Sequence, residues 1–257
     1  MRNERVLPAT HPMTRAVRRV GRKIVEQAET TATPMAWQFH VLDAKEPNAF
    51  CLPGGKVFVN SGLFTLLNGE DALAAVLFHE AAHGLARHGA EKVSFSLLLY
   101  GLLALVVPDA GVLSDLVRTF SRHRSSLLVA PWTDSLSCTT QLVKVAADLP
   151  FSRKLELEAD AIGLRLMARA CYDPRAAIQM NAALGALQEK HGGSVGALKY
   201  FSTHPPSHER VEALRRGLKD ALVIYNASGC GPMKKAFGQA ITPAARALVE
   251  AEHGPWG

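Results

Sequence analysis

The segment His79-Glu80-Ala81-Ala82-His83 determines the fold and the chemistry that we expect of this chain. It lies in a predicted helix, 70–87, with acidic residues in its first turn and Gly89 positioned to end it. Residues four apart share a helix face, so both imidazoles can bind one divalent metal ion. Glu80 can then take a proton from a water molecule at the metal's open position. The pattern predicts a zinc-dependent endopeptidase with one Zn2+ per chain. The simpler alternative is two ordinary histidines of an alanine-rich helix.

Zinc needs a third protein ligand. The extended histidine motif of one class of zinc peptidases would need glycine at position 86 and histidine at position 89, where this chain has Ala86 and Gly89. We therefore expect a carboxylate from a second helix. That helix is predicted at 153–170, with Ser152 as its cap.

Two glutamates of the second helix compete for the role of third ligand. The helical period gives this helix two contrasting faces. The charged, solvated face carries Lys154, Glu158 and Arg165. The other face carries Glu156, Asp160, Gly163 and Met167. We therefore predict that Glu156, and not Glu158, binds the metal.

Three further residues are candidates for supporting roles around the metal. Asp160, one turn after Glu156, can accept the ring N–H of a ligand histidine or hold a nearby cation. Arg210 is the cation that we expect to pair with it. His204 precedes two prolines, which hold its backbone extended just before a helix. Its imidazole could donate a hydrogen bond to the oxyanion formed during peptide hydrolysis, a catalytic role.

A small sheet is predicted ahead of the first metal-binding helix. Strands are expected at 37–42, 48–52 and 56–60, with a tight turn at Pro53-Gly54-Gly55 between the last two. We interpret them as an antiparallel meander. The predicted fold class is α+β and mostly helical, with a small antiparallel sheet packed beside the HExxH helix and the Glu156 helix crossing it.

The sheet edge near the strand at 48–52 is the predicted substrate-binding element. A protein substrate bound as an extended strand along a sheet edge presents its backbone to the metal whatever its side chains are. The candidate substrate-binding residues are Asn48, Ala49, Phe50 and Cys51.

The remaining elements fit one peptidase domain, 1–257, with a core of about 12–225 and a C-terminal extension, 226–257. The first is an amphipathic helix capped by Thr14. A polar stretch, 121–140, is expected to be a surface excursion. Later helices are predicted from Asp173-Pro174 to about residue 190 and from Ser207 to about residue 225.

The charge and cysteine content of the chain argue against two classes of function. The net charge of +6 comes from scattered Lys and Arg without interleaved aromatic residues, so no nucleic-acid partner is expected. The four cysteines lie far apart with no CxxC pair, which argues against a cysteine zinc site or a dense disulfide framework.

No stretch of about twenty apolar residues occurs, so no clear membrane-spanning helix is expected. The apolar segment 95–107 is interpreted either as a buried core helix or as an interfacial segment. The Arg-rich start of the chain is interpreted as the first folded helix. Any targeting segment is then expected upstream of residue 1.

Four features occur in order along the chain: a strand region at 48–55, HExxH at 79–83, ExxxD at 156–160 and a late His204-Pro205 pair. With these features, about residues 12–220 resemble the integral-membrane and envelope zinc peptidases that include the CAAX prenyl protease and HtpX. Segments 152–160, 167–175 and 202–205 look most like the mitochondrial inner-membrane members, metalloendopeptidases whose activity overlaps that of the m-AAA protease.

The resemblance implies zinc ligands at His79, His83 and Glu156, a general base at Glu80 and a supporting acid at Asp160. It also implies membrane association, a mitochondrial inner-membrane location with the catalytic domain facing the intermembrane space, and a role in protein quality control or stress response. Two alternatives stay open: a bacterial-type envelope quality-control protease, and a zinc-stabilised binding module without catalysis. A homo-oligomer is also left open.

Overall fold

The computed structural model describes residues 5–29, 35–106, 138–190, 204–205 and 207–230. The chain divides into two compact units. The first unit comprises Met1–Arg87 and Glu156–Gly257, and the second comprises His88–Leu155. All candidate site residues belong to the first unit, which also contains the sheet and the hydrophobic core.

The first helix, α1 (Pro12–Ala28), packs against the sheet and against the helix that carries the HExxH segment. Its apolar side is buried, which confirms the predicted amphipathic helix. His11 caps the helix through its ring nitrogen, which accepts a hydrogen bond from the Met13 N–H. The expected cap at Thr14 is wrong, because the helix starts two residues earlier at Pro12 and buries Thr14.

The three predicted strands are present as β1 (Gln38–Leu42), β2 (Ala49–Leu52) and β3 (Lys56–Asn60). Their order in the sheet is β1-β3-β2, so β2 lies at one edge. β2 and β3 form the expected antiparallel hairpin. β1 pairs with β3 in parallel, so the sheet is mixed and the predicted antiparallel meander is wrong.

The chain path between β1 and β2 explains the mixed pairing. The connection crosses the end of β3, where the Ala44 carbonyl accepts hydrogen bonds from the Gly62 N–H and the Ser61 hydroxyl. A Cβ on Gly62 would overlap the Lys45 carbonyl, so only glycine lets the connection pass this closely. Alternating apolar residues predict strands but do not encode which neighbour each strand takes.

Helix α2 (Glu70–Leu85) is buried along most of its length and carries His79, Glu80 and His83. It ends at Leu85, and Arg87 adopts a left-handed conformation with φ of 58°. The next helix, α3 (His88–Val106), begins directly afterwards. The expected end at Gly89 is therefore wrong, because Gly89 lies in the first turn of α3.

Helix α3 includes all but the last residue of the apolar segment 95–107. It exposes Val93, Leu97, Leu98 and Leu102. Among the described residues, no helix is both long enough and apolar enough to cross a membrane.

Three more helices follow: α4 (Cys138–Arg169), α5 (Arg175–Lys190) and α6 (His208–Ala227). Asp173 accepts a hydrogen bond from the Arg175 N–H at the start of α5, as expected of the predicted cap. Ser207 caps α6 by accepting a hydrogen bond from the Arg210 N–H. Ser152 does not start a helix, because α4 is already helical from Cys138. Ser is compatible with helix interiors as well as caps, so its presence alone does not fix a boundary. Residues 121–137 of the predicted excursion, 121–140, lie outside the described residues, and its last three residues already belong to α4, so the excursion is wrong there. Residues 231–257 of the predicted extension also lie outside the described residues.

The turn after α4 is fastened at two places. A disulfide joins Cys171 to Cys230, with their Cα atoms 5.0 Å apart. The Tyr172 hydroxyl donates a 2.9 Å hydrogen bond to Glu70, which also binds Arg19 of α1 at 2.7 Å. The end of α4 is thus tied to the start of α2 and to the end of the α6 segment.

Candidate metal centre

Three segments of the chain converge at one buried place. Helix α2 contributes His79, Glu80 and His83, and α4 contributes Glu156. His204 lies in the segment just before α6. The side chains of Glu80 and Glu156 are only 2% and 1% exposed, far less than solvated carboxylates, so their charges must be balanced locally.

The three predicted ligand side chains meet at spacings close to those of a tetrahedral zinc ion, with the two imidazoles each nearest to a different oxygen of Glu156. His79 Nε2 lies 3.1 Å from His83 Nε2 and 3.2 Å from Glu156 Oε2, and His83 Nε2 lies 3.3 Å from Glu156 Oε1. Zinc–ligand bonds of about 2.0–2.1 Å in a tetrahedron place the ligand atoms roughly 3.3 Å apart. Imidazole and carboxylate donors also suit zinc chemically. The residues therefore fit a zinc ion.

His204 lies at the centre, where its predicted role beside the reacting carbonyl requires it, but it also lies closer to the ligand atoms than that role requires. Its Nδ1 atom lies 3.3 Å from His79 Nε2 and 3.1 Å from Glu156 Oε2, and it completes a group of four donors within 4.8 Å of one another. Its Nε2 atom lies 3.2 Å from Glu80 Oε1. The local sequence signals only a histidine held before prolines, and nothing in it distinguishes a metal ligand from a group facing substrate.

Asp160 and Arg210 form a buried ion pair behind His79. The guanidinium donates from Nε and NH2 to the two Asp160 oxygens at 2.7 and 2.8 Å. Asp160 Oδ1 lies 2.9 Å from His79 Nδ1, the ring atom opposite the metal-facing nitrogen. Arg210 also reaches Glu156 Oε2 at 3.2 Å. Contacts of this kind fix the ring orientation of a metal-binding histidine.

Burial and mutual contact perturb the pKa values of the two α2 histidines in opposite directions. Burial lowers the pKa of His79, but the close carboxylates of Asp160 and Glu156 outweigh it and raise that pKa to about 9. Burial lowers the pKa of His83 to about 3.

The pKa values of the three acidic side chains are also shifted in different directions. Burial raises the pKa of Glu80, the direction that suits a proton acceptor working near neutral pH. Burial also opposes ionisation of Glu156, but contacts with the histidines outweigh it and hold its pKa well below its usual range. For Asp160, Arg210 outweighs burial and lowers the pKa to about 2.

The two competing glutamates lie on different faces of α4. Glu156 is buried among the histidines, whereas Glu158 is exposed. The stripe that contains Glu156 and Asp160 continues through Gly163 to Met167, and all four residues are buried. The structure thus brings Glu156 to the centre and leaves Glu158 outside it.

The predicted substrate-binding residues lie in and beside the edge strand. Asn48 precedes β2, which contains Ala49, Phe50 and Cys51. Cys51 faces α2 closely enough that a Cβ on Gly84, next to His83, would lie 3.1 Å from its sulfur. The edge strand therefore packs directly on the helix that carries the metal-facing histidines.

These features define the class of the protein: a mostly helical α+β protein with a His/Glu cluster that can hold a metal ion. The chain belongs to peptidase family M48, whose family model matches residues 12–217.

Individual relatives agree with this assignment. The chain is 38% identical to the mitochondrial metalloendopeptidase OMA1 of Schizosaccharomyces pombe and 32% identical to that of Saccharomyces cerevisiae, over 91% and 90% of its own length. It is 29% identical over 79% of its length to the beta-barrel assembly-enhancing protease of Escherichia coli, and covers 38% of that protein. The chain spans 63% of the length of each of the two fungal proteins.

Proposed function

We propose that this chain is a zinc-dependent metalloendopeptidase of the HExxH, glutamate-ligated type that hydrolyses protein substrates. The observation that carries the proposal is the convergence of His79, His83 and Glu156 at tetrahedral spacing with Glu80 beside them. Family membership supports the same activity.

In this proposal His79, His83 and Glu156 hold one zinc ion. The bound ion supplies Lewis acidity toward water and a peptide carbonyl. Glu80 accepts the proton of the attacking water, and its buried position keeps its proton affinity high enough to do so. His204, whose Nε2 faces Glu80, donates a hydrogen bond to the developing oxyanion. Asp160 and Arg210 keep the His79 ring in place.

Substrates bind as extended strands along β2. Its position at the sheet edge and its packing on α2 support this proposal, because an added strand would lie beside the metal-binding helix. Asn48, Ala49, Phe50 and Cys51 are the residues proposed to contact the substrate backbone.

The proposed location is the mitochondrial inner membrane, with the catalytic domain facing the intermembrane space and acting in protein quality control. The names of the two fungal relatives support a mitochondrial location, and the Escherichia coli relative supports the bacterial envelope as the alternative. The Cys171–Cys230 disulfide agrees with a compartment outside the reducing cytosol. A single peptidase domain, membrane association and a homo-oligomer belong to the same proposal.

One observation favours a rival function. His204 Nδ1 could act as a fourth ligand, and four protein ligands close a zinc site and leave no position for water. The rival is therefore a zinc-stabilised binding module.

Metal content and proteolysis measured on the same preparation test the proposal. We expect about one zinc per chain, casein cleavage that chelation abolishes, and recovery on adding zinc. Zinc retained at one per chain without cleavage would favour the binding module. Cleavage that persists after complete metal removal would overturn the metallopeptidase proposal.

A further inference from the structure

Gly163 lies at a tight approach between α4 and α2 beside the candidate metal centre. A Cβ at this position would lie 3.1 Å from the Phe78 carbonyl oxygen and 3.2 Å from the His79 nitrogen. Both distances are shorter than ordinary van der Waals contact. We propose that Gly163 is a positioning residue, which sets the separation of the two helices so that Glu156 meets the histidines at metal-binding distance. The inference rests on the proposed metal site.

His79 contacts both Gly163, where the two helices approach closely, and the residues around the metal. The His79 backbone nitrogen faces Gly163, its Nδ1 lies 2.9 Å from Asp160, and its Nε2 lies 3.2 Å from Glu156. The three α4 residues are spaced at four and three positions, so they form one continuous stripe along the helix. A change in helix separation at Gly163 therefore alters both side-chain contacts of His79.

The atoms opposite Gly163 cannot move aside on their own. They belong to the backbone of α2, so an added methyl group can be accommodated only if the two helices separate by a few tenths of an ångström. Metal–ligand distances tolerate only about 0.2 Å of deviation. The two distances that join Glu156 of α4 to His79 and His83 of α2 are 3.2 and 3.3 Å, already close to the tetrahedral requirement, so a shift of this size opens the site.

Two other helical glycines provide matched controls. A methyl group added at Gly185 of α5 would have nothing within 4 Å, and one added at Gly217 of α6 would meet only the end of the Leu164 side chain, at 3.3 Å. Leu164 can change rotamer, because its Cδ2 is the far end of a flexible side chain. Alanine at either position adds the same methyl group without separating α4 from α2.

The experiment compares Gly163→Ala with Gly185→Ala and Gly217→Ala in the full chain. Zinc affinity is measured by competition with a chelating dye, the ligand geometry by the absorption spectrum of the Co2+-loaded protein, and folding by thermal melting of the metal-free form. We expect Gly163→Ala to lose about tenfold or more in zinc affinity and to change the Co2+ spectrum. Both controls should match wild type in affinity and spectrum.

A lower melting temperature with unchanged affinity and spectrum would show a merely structural role and overturn the inference. If Gly163→Ala does not fold, the double variant with Gly185→Ala is measured, since alanine in an open helical position adds stability. Failure of the double variant to fold would also overturn the inference, because Gly163 would then serve folding and not ligand placement.

Proteolysis by wild type is scored separately from the affinity comparison. If the wild-type protein does not cleave protein, the proposed function is wrong, but the comparison of zinc affinities still tests the role of Gly163. If the wild-type protein is active and Gly163→Ala binds zinc as tightly as wild type, only the inference about Gly163 is wrong.

Discussion

Oδ1 of Asp160 lies 2.9 Å from Nδ1 of His79, and both oxygens of the same carboxylate accept hydrogen bonds from Arg210. The contact fixes the His79 ring from behind, so that its Nε2 atom points toward His83 and Glu156. Orientation of the ring thus depends on an ion pair that is itself buried. The same ion pair should also affect stability in acid.

The metal-free protein should lose stability as the pH falls from about 4 to 2. Replacing Asp160 by Asn should make this fall in melting temperature less steep. The folded pKa of Asp160, about 2, lies below its unfolded value of about 3.9. Its contribution is therefore present above the unfolded pKa and is lost as the pH falls through the folded pKa. Melting temperature as a function of pH measures this. Asp220→Asn, at an exposed position, is the control, and an equal flattening in both variants would contradict the prediction.

Replacing His79 and His83 together by Ala should abolish stoichiometric zinc binding. The change removes two of the three proposed ligands and leaves Glu156 without a partner set that can hold the ion. Metal analysis after dialysis measures the loss. About one zinc per chain in the double variant would show that the metal binds elsewhere.

Glu156→Gln should weaken zinc binding by more than the 10–100-fold typical of residues that only support a ligand, because it removes an anionic ligand. Glu158→Gln is the matched control on the same helix. Glu158 is exposed, so its loss should change stability by at most about 1 kcal/mol and leave zinc affinity intact. Release of metal by Glu158→Gln alone would mean that α4 is rotated from the orientation described.

His204→Ala separates the proposed peptidase from the binding module. If His204 stabilises the oxyanion, the variant keeps its zinc and loses about 10²–10³-fold in kcat, with a smaller change in KM. If His204 is a fourth ligand, zinc affinity falls instead. Metal titration and steady-state kinetics on the same variant distinguish the two outcomes.

The positions of the metal-facing residues could be predicted, because the helical period determines which residues share a face of a helix. His79 and His83 are four apart, and Glu156 shares its face with Asp160, so local geometry alone limits where their side chains can lie. The structure brings His79, His83 and Glu156 together and places Asp160 against His79. The predicted pairing of Asp160 with Arg210 is also present, although the helical face alone does not select Arg210.

The errors concern contacts between distant segments and helix boundaries. The parallel pairing of β1 with β3 depends on how the chain crosses near Gly62, which the strand pattern does not encode. The Cys171–Cys230 disulfide spans 59 positions and has no local signature. The sequence predicted His204 at the centre, but its distance from the ligand atoms depends on how the chain returns before α6, which local sequence does not specify.

Glu80 is the proposed proton acceptor and is not itself a proposed zinc ligand, so its substitution separates catalysis from metal binding. The decisive measurement is the metal content and proteolysis of Glu80→Gln, made on one preparation beside wild type. We expect about one zinc per chain and turnover reduced by roughly 10²–10⁴-fold, because the amide keeps the shape of the carboxylate but cannot accept a proton. A zinc-loaded Glu80→Gln protein that cleaves casein at the wild-type rate would contradict the proposed mechanism.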